Sequence, residues 1–521
     1  MSFKFQINKD VKFTRNEKFL NIAEKYKPKL VFQTHSAQRC IEIAKEDTEV
    51  RTVGQNLPIS DLSARVMGKN DYLILDFGNH FVGHFSVGIT RHGSFMDAPL
   101  TLKLQFAERP EELAYEAKNY NGWLSSSWIP EEVIHIDQLP TRLEMPRRYS
   151  FRYVKITVLD TSPKWQISLN APTIISESAV DESKLPELKM ADHELQKIGT
   201  ISIKTLAECM QSVFEDGPKR DQRLWLGDLQ LQALANYCTF HQNSLVKRCL
   251  YLFAGVTTSD GKLSANIFTN NQVNADDTFL FDYSVFFVSC LKDYLENSDD
   301  KQTAIDLYQT AKRQIDLASE YVDGDGKLTL PSEWPVFVDW GDDSDKSTAA
   351  QAIYIKKLQD FMSLNALLGF ETSENYVQLL NALVSYSVND LYSQKDGLFT
   401  SNGELNIYSQ IWMALAKVLP KDKNIELMNA AYKKFFPIQN VATPYMYHFI
   451  VEALLQNEMR EEGVQLIKDY WGKMVSMGAD TFWEAFKPDE PNYSPYGSPL
   501  VNSYCHAWAC TPIYLIKKYN L

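Results

Sequence analysis

The sequence predicts two domains of different class: an N-terminal antiparallel β-sandwich over residues 1–180, then an all-α domain over residues 181–521 with the proportions of an (α/α)6 barrel. Three observations predict this. Up to about residue 170, apolar residues alternate in short runs separated by turn residues, whereas from residue 194 they recur at helical spacing. Between these stretches, ISESAVDESKLPELKMAD is polar and has neither period, as expected of a boundary. At 521 residues, the chain also exceeds what one ordinary core holds.

In the first domain, residues 71–78, 84–90, 100–106 and 153–158 read as strands. Residues 119–128, NYNGWLSSSW, form a polar, aromatic excursion between strands. A surface hairpin is the expected form, and a loop reaching an active site or a dimer contact are the alternatives. Helical runs follow at residues 194–213, 229–237, 245–254, 279–295, 302–321, 349–368, 373–391, 405–418, 424–435, 444–456, 460–475 and 501–518. These twelve suit a ring of six hairpins, and the lack of a fixed-length repeat disfavours a solenoid.

The longer loops collect acids and aromatics. Residues 270–277 lead into Phe281, Asp282 and Tyr283, and residues 331–334 lead into Asp339, Trp340, Asp342 and Asp343. Loops at one end of a barrel would converge on its mouth. Asp323-Gly-Asp325-Gly326 lacks the remaining ligands of a calcium loop and reads as a tight turn.

With 53 Lys and Arg against 66 Asp and Glu, the net charge of -13 argues against nucleic acid or an anionic membrane as partner and leaves a neutral ligand. Seven scattered cysteines in apolar surroundings read as reduced thiols of a cytoplasmic protein. The opening MSFKFQINKDVKF has no secretory pattern, and no apolar run approaches the ~20 residues of a membrane span. There is no His-Glu-x-x-His, paired-Cys cluster, phosphate loop, dinucleotide fingerprint or flanked Ser or Cys nucleophile, so no metal or cofactor is implied.

Two blocks carry the chemistry. Residues 214–230, FEDGPKRDQRLWLGDLQ, bring Asp216, Asp221 and Asp228 together with Arg220, Arg223 and Trp225. A solvated, ion-paired surface would explain the charge. It would not call for Gly217-Pro218, which stops a helix and sets the acids on a fixed turn and at the start of the next helix. The second block, MGADTFWEAFKPDEP at residues 477–491, places Glu484 after Trp483, and NSYCHAW follows with His506.

Taken together, DGPKRDQRLWLGD, GADTFWE and NSYCHAW resemble the signature blocks of the α-L-rhamnosidases of glycoside hydrolase family 78. The resemblance runs from about Asp192 to the C-terminus. It extends more loosely into the first 180 residues, where LDFGNHFVGHFSV and RRYSFRYVKITV resemble the jelly-roll domain that precedes the family's barrel. It implies an inverting hydrolase with two carboxyl groups ~6.5–9.5 Å apart.

Residue by residue, Asp216 matches the block's first Asp, Trp225 its aromatic and Asp228 its closing Asp. The position usually held by the acid Glu falls at Asp221 or Gln222, and a match without gaps selects Asp221, with Asp228 as second choice. Asp is one methylene shorter, so backbone or a tighter pocket must make up its reach. Glu484 matches the general base, His506 a histidine that contacts sugar hydroxyls, and Asp339 and Trp340 the family's VDWGDD segment.

Trp340 would stack on the sugar, a role Trp334, Trp483 and Trp508 could share, and Arg220 and Asp282 complete the expected binding set. Trp225 and Asp216 would raise the acid's pKa, and Arg220 would oppose them. The expected ligand is a short rhamnoside or plant glycoside. The resemblance also implies that many relatives carry a further C-terminal β-domain, for which this sequence has no room, so that surface is expected to be covered by a loop or by a second subunit, as in a homodimer, or to be left open. A six-hairpin glycosidase of other sugar specificity, or a non-catalytic carbohydrate-binding relative, is the alternative.

Overall fold

A 22-residue strand organises the first domain, and the chain reaches it only after packing elsewhere. The computed structural model describes residues 6–46, 49–341 and 344–521. The opening MSFKF, and Asp342 and Asp343 of the acidic loop, lie outside the described residues. β1 (Phe13–Arg15) pairs with residues 256–258 of the helical part. α1 (Glu17–Lys25), capped by the Asn16 side chain on the Phe19 N–H, buries Leu20 and Ala23 in the helical core. The segment around β1 and α1, expected within the sandwich, thus packs on the helices.

β2 (Val31–Ser36), β3 (Arg39–Glu46), β4 (Glu49–Pro58), β5 (Tyr72–Gly93), β6 (Leu100–Ala107), β7 (Glu131–Ile136), β8 (Thr141–Glu144), β9 (Tyr149–Asp160) and β10 (Trp165–Ser178) make an antiparallel sheet. The main path runs β2-β10-β5-β9-β6-β7, with β3 and β8 also on β5 and β4 on β3. The strands expected at 71–78 and 84–90 are one strand. Its register against β9 shifts between Asp76 and Phe81, where Gly78 takes φ +75°, so the strand bends without ending. β2 escapes the sequence pattern because it exposes most of its side chains, and β10 because Pro172 and a register shift after Asn170 break its alternation. Phe77, Phe85, Phe106 and Phe151 fill the core edge-to-face, at centroid distances of 5.1–6.2 Å.

The rest of the chain is largely helical. α2 (His193–Cys209) is capped by Asp192 and leads to α3 (Leu226–Tyr237), α4 (Asn243–Gly255), α5 (Phe281–Ser298), α6 (Lys301–Ser319), α7 (Ser347–Leu368), α8 (Glu374–Tyr386), α9 (Ile407–Leu415), α10 (Lys421–Phe435), α11 (Pro444–Gln456) and α12 (Arg460–Ile467). A π turn joins α12 to α13 (Lys473–Ser476), and α14 (Pro512–Tyr519) ends the chain. α3 packs on α5, α5 on α7, α7 on α9 and α9 on α11; α11 meets the 3-10 turn at Ala507–Ala509, which returns to α3. α9 is buried on every side, whereas α6, α10 and α12 show the one-sided burial of outer helices.

The helix expected over 501–518 starts only at Pro512. Residues 503–506 instead bond to the neighbouring segment, with Glu484 N–H to Ser503 O and His506 N–H to Phe482 O, both at 2.9 Å. NSYCHAWAC is apolar because it is enclosed, not because it is helical. The tight turn expected at 323–326 is present, with Asp323 Oδ1 accepting the Asp325 and Lys327 N–H groups and Gly326 at φ +91°. Among the described residues, no helix is long and apolar enough to cross a membrane.

The sheet domain braces the two acidic blocks from behind. Arg148 Nη2 donates to both Glu215 carboxylate oxygens at 2.7 and 2.9 Å, Arg152 reaches Asp480 at 3.3 Å, and the Arg109 guanidinium lies 4.2 Å from the Trp483 ring centroid. Buried Lys219 is held by Glu112 and Glu108 and donates to the Asn502 carbonyl at 2.8 Å. Removing one member of such a buried pair costs about 3–5 kcal/mol, so the seam fixes the blocks firmly.

Candidate active site

A cavity of about 350 Å³ opens where the two acidic blocks meet, a size ordinary for a small-molecule site. Asp216, Arg220, Asp221, Trp225, Asp228, Trp340, Glu484 and His506 all line it. Local structure explains the convergence. After α2, Gly217-Pro218 opens a turn over residues 218–221, and Asp221 and Gln222 both take left-handed backbone, at φ +63° and +52°. Asp tolerates that region better than most residues, and the reversal carries its carboxyl into the cavity instead of along a helix. Leu224 and Trp225 then pair with residues 266 and 267, and α3 begins at once with Asp228 in its first turn.

The second block is tied to the first through backbone. The 482–484 segment runs beside 503–506, and the Ala507 N–H donates to Asp216 O at 2.9 Å. Gly217 leaves no room for a side chain: a Cβ there would come within 2.6 Å of Ser503 Oγ and 3.0 Å of His506 Nδ1.

Arg220 is the link between the carboxylates. It is buried, its Nε donates to Val501 O at 2.9 Å, and its guanidinium lies 4.3 Å from the Tyr496 ring centroid. Its Nη1 sits 3.3 Å from Asp221 Oδ1 and its Nη2 sits 2.5 Å from Glu484 Oε2. The planar fork holds those nitrogens about 2.3 Å apart, so the two carboxylate oxygens are separated by no more than about 8 Å. Glu484 also accepts from the Tyr496 hydroxyl and, at 3.4 Å, from the Ser503 N–H.

These partners divide the acids electrostatically. Burial opposes ionisation of Glu484, yet the Arg220 charge, His506 and the hydrogen bonds from Arg220 and Tyr496 hold its carboxyl below the usual range. Burial, then the carboxylates of Asp221 and Asp228, push Asp216 well above that range. Burial also raises Asp228, against the pull of His506, whose Nε2 lies 3.2 Å from Asp228 Oδ1. The cavity therefore holds one carboxylate kept ionised beside others that favour keeping a proton.

Four expected contacts stand behind the wall instead of in it. Asp282, fully buried, accepts the N–H groups of Phe337 and Val338 at 3.1 and 3.0 Å and so shapes the loop that presents Phe337 to the cavity. Asp339 accepts from Thr443, Tyr408 and the Ala442 N–H. Trp334 is fully buried with its Nε1 on Ser284 Oγ at 3.2 Å, and Trp483 is stacked against Arg109. Composition marked these residues correctly as acid and aromatic but could not tell which face they turn inward.

The structure adds Phe337 and Tyr496, which sequence reasoning did not single out for the site. Tyr283 lines the cavity with Trp508, and Asp276 and Asp277 of the 270–277 loop, expected at the mouth, reach its rim. Trp123, Leu124, Ser125 and Trp128 do so from the sheet domain. The excursion at 119–128 is therefore a loop at the site, not the expected surface hairpin. Among the described residues, His80, Glu208 and Cys505 form a group of metal-ligand type with ligand atoms within 4.8 Å of one another. None of them lines the cavity, and His80 is already held between Glu208 and Glu108.

Comparison with known proteins finds relatives of both parts of the chain. The description "bacterial alpha-L-rhamnosidase 6 hairpin glycosidase domain" fits residues 184–519, and "glycosyl hydrolase family 78 alpha-rhamnosidase N-terminal domain" fits residues 37–176. A rhamnosidase from Klebsiella oxytoca, solved with rhamnose bound, superposes with a TM-score of 0.95 at 41% identity, over 98% of this chain and 100% of that one. Two more distant structures share the fold. A family 78 rhamnosidase of Bacillus sp. GL1 gives a TM-score of 0.74 at 20% identity over 90% of this chain and 49% of that one. The α-L-rhamnosidase from Dictyoglumus thermophilum gives 0.68 at 16% identity over 94% and 52%. No curated protein matches the chain.

Proposed function

The chain belongs to glycoside hydrolase family 78, the α-L-rhamnosidases, and on that premise we propose that it removes terminal α-L-rhamnose from short rhamnosides or plant glycosides with inversion. Asp221 is the general acid and Glu484 the general base. The observation that carries this reading is the Arg220 bridge, which ties both carboxylates to one guanidinium at the wall of one cavity. Two carboxylates held within about 8 Å of each other can flank one glycosidic bond, and that bound admits the ~6.5–9.5 Å that leaves space for a water between sugar and base.

In the proposed cycle, Asp221 gives its proton to the glycosidic oxygen while Glu484 takes a proton from water attacking the anomeric carbon on the opposite face. Arg220 keeps Glu484 ionised between turnovers. Burial and the neighbouring Asp221 and Asp228 carboxylates favour a proton on Asp216, close to the proposed acid. Asp216, Asp228 and His506 hold sugar hydroxyls at the buried end, and Trp340 and Trp508 offer their faces to the ring. The rhamnose found in the K. oxytoca enzyme supports the choice of sugar.

The cycle of inner helices closing through Ala507–Ala509 supports an (α/α)6 barrel, and the bent β5 supports a jelly-roll-like sandwich before it, divided near residue 180. Seven free cysteines support a cytoplasmic setting, and a homodimer is open to light scattering. The decisive assay is a panel of aryl glycosides with NMR detection of the first product. Release from α-L-rhamnosides as the β-anomer is expected. Release only from another sugar would overturn the specificity, and an initial α-anomer the mechanism.

A further inference from the structure

The cavity has two ends of different chemistry. At the inner end Asp216, Asp228, Glu484 and His506 are each no more than 3% exposed. At the mouth Trp123 is 38% and Phe268 37% exposed, which is unusual for large aromatics on one small cavity. They come from different domains: Trp123 from the 119–128 loop, Phe268 from the strand paired with residues 224 and 225. An enzyme that takes a terminal sugar puts that sugar at the closed end, so its leaving group lies at the mouth.

Several polar groups of the rim are already paired within the chain. Asp277 accepts the Asn8 N–H, and Gln6 closes on Phe279 through both ends of its amide. Asp276 pairs with Arg223 at 3.7 Å and accepts from Asn266 at 2.8 Å. The Trp123 Nε1 donates to Pro495 O at 3.0 Å, which fixes the indole at the mouth, and its ring meets Tyr496 at 5.4 Å. A second sugar would need hydrogen-bond partners for several hydroxyls. A flat apolar ring needs only faces, and the rim offers the Trp123 indole and a Phe268 ring that already carries the Arg223 guanidinium 4.4 Å from its centroid.

We propose that Trp123 and Phe268 form a leaving-group subsite that selects planar aromatic aglycones over sugars. The sheet domain, through its 119–128 loop, thereby sets the specificity of a reaction carried out by the helical domain. This rests on the rhamnosidase reading above, and the test separates the two. Trp123→Ala, Phe268→Ala and the conservative Trp123→Phe are compared with the wild type on 4-methylumbelliferyl α-L-rhamnoside, on a rhamnosyl-glucose disaccharide, and for inhibition by free rhamnose.

Each alanine variant is expected to lose about tenfold in kcat/KM on the aryl substrate, mainly through KM, with disaccharide turnover and rhamnose inhibition within about twofold of wild type. Trp123→Phe should recover most of the loss. Equal losses on both substrates and on rhamnose inhibition, or no loss on the aryl substrate, would overturn the subsite. A wild type that cleaves neither rhamnoside would instead overturn the function on which it rests.

Discussion

Replacing Arg220 by Met keeps an unbranched apolar stem and removes the guanidinium charge that Glu484 and Asp221 share. Glu484 then keeps the Tyr496 hydroxyl and the Ser503 N–H but loses its guanidinium partner. Burial already opposes its ionisation, so the carboxyl should move from below the ordinary value of 4.5 to above it. Truncating one partner of a buried pair costs about 3–5 kcal/mol, and part of that cost should appear as a raised Glu484 pKa. Because a general base must be ionised, the acidic limb of kcat/KM against pH should move toward neutrality. Arg220→Lys, which restores a charge without the fork, should move it less.

The sign for stability follows the same way. A carboxyl with a depressed pKa stabilises the folded state above about pH 4.5 and loses that contribution as pH falls through the folded value, whereas a raised one destabilises at neutrality. Urea unfolding of Arg220→Met should therefore show a deficit at pH 7 that shrinks as the pH falls through the raised Glu484 value. An acidic limb that stays in place in a folded Arg220→Met protein would refute the claim that this guanidinium sets the state of Glu484.

Glu484→Gln should lower kcat by about 10²–10⁴ while calorimetry still detects rhamnose binding. Asp221→Asn should fall by a similar factor on poor leaving groups and far less on 2,4-dinitrophenyl α-L-rhamnoside, whose phenolate departs without a proton; an equal loss on both would exclude Asp221 as the acid. His80 lies at the seam. Burial disfavours its charged form, but Glu208 and Glu108 overcome this and raise its pKa from 6.5 to about 10. Its contribution to stability is thus full below about pH 6.5 and is lost as pH rises through about 10. Urea midpoints of the wild type should drop across that window, and those of His80→Asn should start lower and drop less.

The acidic blocks were legible because each is local. Gly217-Pro218 and the close spacing of Asp216, Asp221 and Asp228 state a turn and a helix start within one short stretch, and the structure uses both. What needed tertiary knowledge was missed. The 119–128 loop lies in the cavity wall because Trp123 meets Pro495, 372 residues away, and nothing nearby announces that contact. Asp282, Asp339, Trp334 and Trp483 have the composition of a sugar site yet support its wall, since residue type does not reveal which way a buried side chain faces. Residues 501–511 read as helix because enclosure on all sides imitates the apolar content of a buried one.

The most direct test is a crystal structure of the Glu484→Gln variant with an uncleaved aryl α-L-rhamnoside. The anomeric carbon is expected between the Asp221 carboxyl and the substituted amide, with the glycosidic oxygen within hydrogen-bond reach of Asp221 and a water on the amide's side of the ring. A sugar with both side chains on one face, or one bound outside this cavity, would contradict this arrangement.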